Sequence, residues 1–296
     1  MARIRIPLPS DFSFDGVVRS HGWYDLPPFS YDRGKGVLTT SVESHASPGE
    51  AAAAEITFRQ RGDRLEAESE ALDRRALAAI ARRVFSLDVD LEVFARTIAG
   101  ELVLARALAS GRGRLLRAPT LFEDAVKMLL TTNCSWAATK GMVSRLIALA
   151  GAQGRVFPSA GAIAVFSPAK LKAKVRCGYR AVSLARFARR VARGDLDLAM
   201  WQRRKAPADE IRDAILSEHG FGPYAAEGLL RILGRHDYLA LDSWVRQEYR
   251  RRFPGPRRTT DRAIARRYAR YGAHRGLALW LNMTSHWHEE KDGPRV

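Results

Sequence analysis

Residues 207–246 read PADEIRDAILSEHGFGPYAAEGLLRILGRHDYLALDSWVR. An apolar run at helical spacing opens behind Pro207 with acidic residues in its first turn and stops at His219-Gly220, and a second opens at Pro223. Proline at the first helical position and glycine just past the last are the usual punctuation of helices. The spacing therefore predicts helices over 207–218 and 223–233, joined by Gly220-Phe221-Gly222. Glycine admits positive φ and close approach of the backbone to a ligand, while the first turn of the second helix offers unpaired N–H groups at the positive end of its dipole. A phosphate suits such a cradle. Alone, a Gly-x-Gly between helices is more often a plain turn. Asp242 adds a second element: it stands 20 residues after Gly222, directly ahead of a helix led by Ser243-Trp244-Val245. Aspartate there is also a natural helix N-cap, and the two roles are compatible.

This constellation resembles the helix-hairpin-helix DNA glycosylase superfamily, in which a Gly-x-Gly hairpin precedes a catalytic aspartate by a similar interval. The likeness extends outward, towards the 8-oxoguanine and alkylpurine branch, over roughly residues 110–290. Thr131-Thr132-Asn133-Cys134-Ser135-Trp136, followed by Gly141-Met142-Val143, looks like the family helix ending in an asparagine that fills the gap left by a flipped base. Gly178-Tyr179-Arg180-Ala181 is similar to the segment whose tyrosine wedges beside the lesion. The resemblance thus implies Asp242 as the catalytic carboxylate; Gly220, Phe221, Gly222 and Tyr224 as the DNA-binding hairpin; and Asn133, Tyr179 and Arg180 as wedge and void-filling residues. It implies a base pocket built from Trp136, Tyr224, Gly228, Leu279 and Met283, the last two from an ungapped reading of the final helix. The bland alternatives are a buried tyrosine after a glycine turn, an asparagine capping the next helix, a solvated arginine, and a mid-helix glycine that packs closely.

The chemistry agrees with the likeness. A base within a duplex hides its glycosidic bond, so an enzyme must extrude the nucleotide and fill the void. Breaking that bond builds positive charge on the sugar, which a nearby carboxylate stabilises while it orients or deprotonates water. The following helix N-terminus is expected to favour the ionised form of Asp242. Bifunctional members of the superfamily carry a lysine two residues after the second hairpin glycine, whose amine forms a Schiff base. That position is Tyr224 here, and no lysine occurs between Lys205 and Lys291. A monofunctional enzyme with water as nucleophile is expected. At the branch's pocket positions, Gly228 enlarges the space and Leu279 removes an amide, which argues against 8-oxoguanine. An alkylated purine and a bulky modified base, in the genome or in foreign DNA, both fit.

Charge supports a polyanionic partner. The chain of 296 residues carries +17, of which residues 1–110 hold −2 and residues 111–296 hold +19. Only 8 of the 49 basic side chains are lysine, so the basic surface is almost all arginine. Double-stranded DNA is the expected partner, bound by a monomer. No apolar run is long enough to span a bilayer, and Met-Ala-Arg-Ile-Arg-Ile-Pro lacks the apolar stretch of a secretory signal, so a cytoplasmic protein is expected. Cys134 and Cys177 are the only cysteines, which excludes a four-cysteine metal site or cluster and suggests ordinary buried thiols. No cofactor or metal is expected. His286-Trp287-His288-Glu289-Glu290 reads as a tail, because histidines two apart on a helix diverge too widely to share an ion.

The expected fold class is mostly α: an all-helical body, residues 111–296, with a small N-terminal antiparallel β (α+β) domain, residues 1–110. Strand-like runs occupy 36–42, 54–58 and 64–68, with a hairpin at Arg61-Gly62-Asp63. Helices are predicted over 72–85, 90–109, 119–131, 135–150, 168–175, 180–193, 207–218, 223–233, 243–252 and 260–288, the last broken by Gly272 and Gly276. Two rivals remain: a non-catalytic binder of distorted DNA, which has no need of a carboxylate at 242, and an RNA-binding helical protein, which leaves the glycine-to-aspartate spacing unexplained.

Overall fold

The computed structural model describes residues 1–47, 50–203, 205–255 and 259–288. Five strands form one antiparallel sheet in the order β1-β5-β4-β3-β2: β1 Ala2–Pro7, β2 Ser30–Asp32, β3 Val37–Ser47, β4 Glu50–Arg61 and β5 Arg64–Ser69. The β4–β5 hairpin turns at Gly62, as its Arg-Gly-Asp suggested. β1 and β2 lie outside the strand-like runs read from the sequence. β1 is nevertheless an alternating strand, with Ile4 and Ile6 buried and Arg3 and Arg5 paired across to Glu66 of β5. Leu38, Ile56, Phe58, Leu65 and Ala67 bury the same sheet face. Phe85 meets this face, its ring 5.3 Å from Phe58 and 5.1 Å from Phe14.

The helices are α1 Phe14–Val18, α2 Arg74–Val84, α3 Glu92–Thr97, α4 Leu102–Ala109 and α5 Leu121–Thr131. They continue with α6 Trp136–Ala150, α7 Ala160–Ala164, α8 Pro168–Val175, α9 Arg180–Arg193 and α10 Ala208–Leu216. The last are α11 Pro223–Ile232, α12 Ser243–Arg252, α13 Asp261–Tyr268 and α14 Arg275–Met283. Polar side chains of Thr120, Ser135, Ser159, Ser167, Asp242 and Thr260 cap the helices that follow them. The long helix expected over 90–109 is broken by glycine, and 260–288 is broken at Gly272 as expected. Gly100, at φ 88°, separates α3 from α4, and Gly272, at φ 52°, lies between α13 and α14. Gly276 does not break the chain but sits inside α14, where a Cβ would collide with the carbonyl of Tyr238.

The apolar core forms two clusters, and neither stops at residue 110. One unites the sheet face with α2, α5, α6, α9 and α11, and the other joins residues 91–115 to α12, α13 and α14. A buried polar junction ties the sheet side to the helices. Asp124 of α5 accepts from Trp23 Nε1 at 2.8 Å, Arg83 Nη2 at 2.7 Å and the Ala118 amide at 2.9 Å. The segment Gly22–Asp25, a short 3-10 turn, is thereby fixed against α5. The expected tail is in part folded: Ser285–His288 form a 3-10 turn and Trp287 is buried. Its indole meets Trp244 at 5.3 Å and Trp280 at 5.7 Å, a tertiary contact that overrides the polar look of the segment. Glu289 and Glu290 lie outside the described residues.

Candidate active site

The hairpin follows from its residues. Gly220 has φ 95°, and a Cβ on it would collide with the Ser183 side chain, so it is needed both for backbone conformation and for packing on α9. Phe221 is buried, its ring 5.1 Å from Phe187. It anchors the turn from below, and its side chain is not presented to a ligand. Gly222 is different: it N-caps α11 without a side-chain bond, Pro223 takes the first helical position, and a Cβ on Gly222 would meet nothing within 4 Å. The space over Gly222 is open.

Beyond the hairpin, Tyr224, Gly228 and Arg231 recur at helical spacing on α11 and line one cavity of about 630 Å³. Asn133, Trp136, Asp242, Trp244, Trp280 and Trp287 line it too. Of the expected pocket residues, the structure thus brings Trp136, Tyr224 and Gly228 together with Asp242 and Asn133. Leu279 and Met283 are not among the lining residues. Both are buried in the second core cluster, and the wall from α14 is Trp280. A shift of one residue turns a helix by about 100°, so an ungapped reading that is out of register by one presents the wrong face. A Cβ on Gly228 would lie 2.5 Å from the Met128 methyl, so this glycine accommodates Met128 at the cavity wall.

Asp242 is held by its surroundings. Its Oδ1 accepts from the Val245 amide at 2.6 Å, closing the N-terminus of α12. The preceding loop is braced from α11: Arg231 Nη2 donates to the carbonyls of Leu239 at 3.1 Å and Ala240 at 3.3 Å, and the Ala240 amide donates to Glu227 Oε2 at 3.0 Å. These bonds hold Ala240 at φ 49°, a region that alanine disfavours. Burial, and then the Asp242 charge, push the Tyr224 hydroxyl above its ordinary pKa, so it stays protonated at neutral pH. Burial lowers His21 to about 4, against a bond of 2.7 Å between Nε2 and the Leu116 carbonyl that works the other way, so this cavity-lining imidazole is neutral.

The walls are largely indole. Trp244, Trp280 and Trp287 stand 5.3 to 5.8 Å apart, and Trp280 Nε1 donates to the Ser20 carbonyl at 2.9 Å. Trp136 packs over Gly22, where a Cβ would strike its ring, and donates from Nε1 to Asp25 at 2.9 Å. His21, Arg231, Trp244, Trp280 and Trp287 are among the wall residues that sequence reasoning missed. At the rim, Asn133 is exposed at φ 47°, and its Nδ2 donates to the Tyr179 hydroxyl at 3.2 Å. Tyr179 is 63% exposed. Arg180 is buried: it donates to Thr132 Oγ1 and O, and its guanidinium lies 4.6 Å from the Tyr179 ring centre. It backs the Tyr179 ring from within the protein. Among the described residues no lysine lines the cavity. Lys127 is buried against Glu123 at 2.6 Å, and Lys140 is paired with Asp25 at 2.7 Å.

No protein-family model matches the sequence, and no curated protein does. Solved structures do match. The 8-oxoguanine glycosylase/lyase of Clostridium acetobutylicum in its apo-form shares 14% identity over 96% of either chain, with a TM-score of 0.72. The chain has the helix-hairpin-helix DNA glycosylase fold. The 3-methyladenine DNA-glycosylase of Archaeoglobus fulgidus, at 20% identity, matches over 96% of this chain and 99% of its own, with a TM-score of 0.71. MBOgg1, solved in complex with a low-affinity DNA ligand, matches at 18% identity over 98% of this chain and 97% of its own, with a TM-score of 0.74. Each match spans the sheet as well as the helices, so the glycosylase fold here includes the N-terminal strands. Among the described residues no helix is long and apolar enough to cross a membrane, and no cluster of His, Cys, Asp or Glu could hold a metal ion.

Proposed function

We propose that this protein is a monofunctional DNA glycosylase that acts as a monomer on double-stranded DNA, extrudes a damaged or modified base, and hydrolyses its N-glycosidic bond to leave an abasic site. The observation that carries this reading is the opening of Asp242 and Tyr224 into one indole-walled cavity beside the hairpin. An indole-walled cavity suits a flat heterocycle, which gains from stacking on π-faces. In this reading Gly222 and the first turn of α11 receive a phosphate, and Asn133 with Tyr179 occupies the gap left by the extruded nucleotide. Asp242 faces the sugar, opposes the charge that builds at C1′, and takes a proton from the attacking water. Tyr224 occupies the position of the lyase lysine, and a phenol forms no imine with the sugar.

The test is incubation with duplexes that each carry one modified base, with and without alkali. Base release with strand breaks that appear only after alkali supports the proposal. Tight binding of distorted duplexes with no release of any base would leave a non-catalytic binder.

A further inference from the structure

Arg231 has no part in the reaction as described so far. It lies seven residues after Tyr224 on the cavity face of α11 and is only 6% exposed. Its guanidinium stacks over Trp280 at 4.5 Å, its hydrogen bonds go to two neutral carbonyls, and its buried Nε has no partner. Asp242 and Glu227 act on this charge only from beyond ion-pair distance, so it is incompletely compensated, and its retention in a cavity wall suits a ligand that adds negative charge. The charged side chains lining the cavity are Asp242, Arg231 and Arg246, and Arg246 is already paired with Asp261 at 2.8 Å. Asp242 and Arg231 are left as opposite charges on one wall.

We propose that Arg231 is the counter-charge for the departing base, and that the substrate is therefore a base that is neutral in DNA and leaves as an anion, not a cationic alkylpurine. The inference rests on the glycosylase reading above. When the C1′–N bond breaks, both bonding electrons go to the base nitrogen, so the sugar becomes cationic and a neutral base becomes anionic. Water oxygen then bonds to C1′, its proton passes through the Asp242 carboxylate, and the base nitrogen is finally protonated, which balances the hydrolysis. Asp242 and Arg231 stabilise the two halves of this charge separation. An alkylpurine that is cationic in DNA leaves as a neutral ring, gains nothing from Arg231, and enters against like charge.

The experiment is a titration with two flat bicyclic probes, urate, an anion at neutral pH, and the cation 7,9-dimethyladeninium, read by quenching of tryptophan fluorescence. Urate is expected to bind at least about tenfold more tightly to the wild type, a factor well within the reach of one buried charge. Arg231→Gln, which keeps a donor for the loop carbonyls, should abolish the preference, and Arg231→Lys should retain it. Equal or tighter binding of the cation, binding of neither probe, or a preference that survives in Arg231→Gln overturns the proposal. If the variants do not fold, the order of the two probes on the wild type still decides. The titration needs no catalysis, so a duplex panel without base release would remove the glycosylase reading while the measured order of probes stands on its own.

Discussion

Asn133 and Tyr179, 46 residues apart, are joined at the rim of the cavity by a hydrogen bond of 3.2 Å from the asparagine amide to the phenol. Arg180 lies behind the ring and is itself fixed to Thr132, so both rim residues are held before any DNA arrives. A preformed wedge loses little side-chain freedom on binding. Tyr179→Ala is expected to weaken binding to a duplex with an abasic site by about 1–3 kcal/mol, the range of one lost aromatic stack on a base. Asn133→Ala should weaken it less, and the double variant should fall short of the sum because the two act as one unit. Strict additivity in that cycle would mean the residues work separately.

The two hairpin glycines should fail in different ways. Gly220→Ala forces a side chain into positive φ against Ser183, so the melting temperature should fall by the equivalent of more than about 1 kcal/mol. Gly222→Ala meets no protein atom, so stability should hold while duplex affinity falls. With roughly four to six phosphates neutralised, log affinity against log salt should slope near −4 to −5. Normal duplex affinity in Gly222→Ala, or a slope near zero, would place the DNA elsewhere.

Borohydride should trap no covalent complex with DNA. Tyr224 cannot form an imine, and the two lysines nearest in the chain to the cavity helices, Lys127 and Lys140, are each held in an ion pair. A trapped adduct would show that some amine reaches C1′.

Acid should unfold the protein through its buried imidazoles. Burial lowers His21 to about 4 and His236 to about 3, from an ordinary value of 6.5, and neither ring nitrogen of His236 has a hydrogen-bond partner. Both are neutral in the folded state and gain a proton more readily when unfolded. Their contribution is therefore complete above about pH 6.5 and is lost as pH falls towards 4 and then 3, on the order of 3 kcal/mol for His21 and 5 kcal/mol for His236. Denaturant titrations from neutral to acid pH should show this decline, and His236→Leu should flatten it. A wild-type stability that is level across the range would contradict the assignment.

Local signals made much of this legible. Proline and glycine punctuation marked α10 and α11, and the spacing from Gly222 to Asp242, read with the family resemblance, pointed to the carboxylate that lines the cavity. Tyr224 and Gly228 followed because helical spacing fixes a face. What sequence reasoning missed depends on contacts far apart in the chain. Arg231 looks like any arginine on a helix until Trp280, 49 residues later, closes over it. His21 and Gly22 enter the site only because Asp124 and Asp25 tie their segment to α5 and α6. Leu279 and Met283 were placed by an ungapped reading of the final helix, and the wall residue of α14 is their neighbour Trp280, on a different face. Trp287 sits among polar residues and is buried by two other indoles, which no local pattern records.

In the proposed reaction Asp242 drives hydrolysis of the glycosidic bond. Asp242→Asn keeps the shape of the side chain and an oxygen to accept from the Val245 amide, so folding and duplex binding should persist. The decisive measurement is single-turnover base release by wild type and Asp242→Asn from the duplex that the wild type cleaves best, beside the affinity of each for that duplex. Release is expected to fall by at least about a hundredfold, a few kcal/mol of lost transition-state stabilisation, with affinity little changed. Equal release by the variant would contradict this role of Asp242.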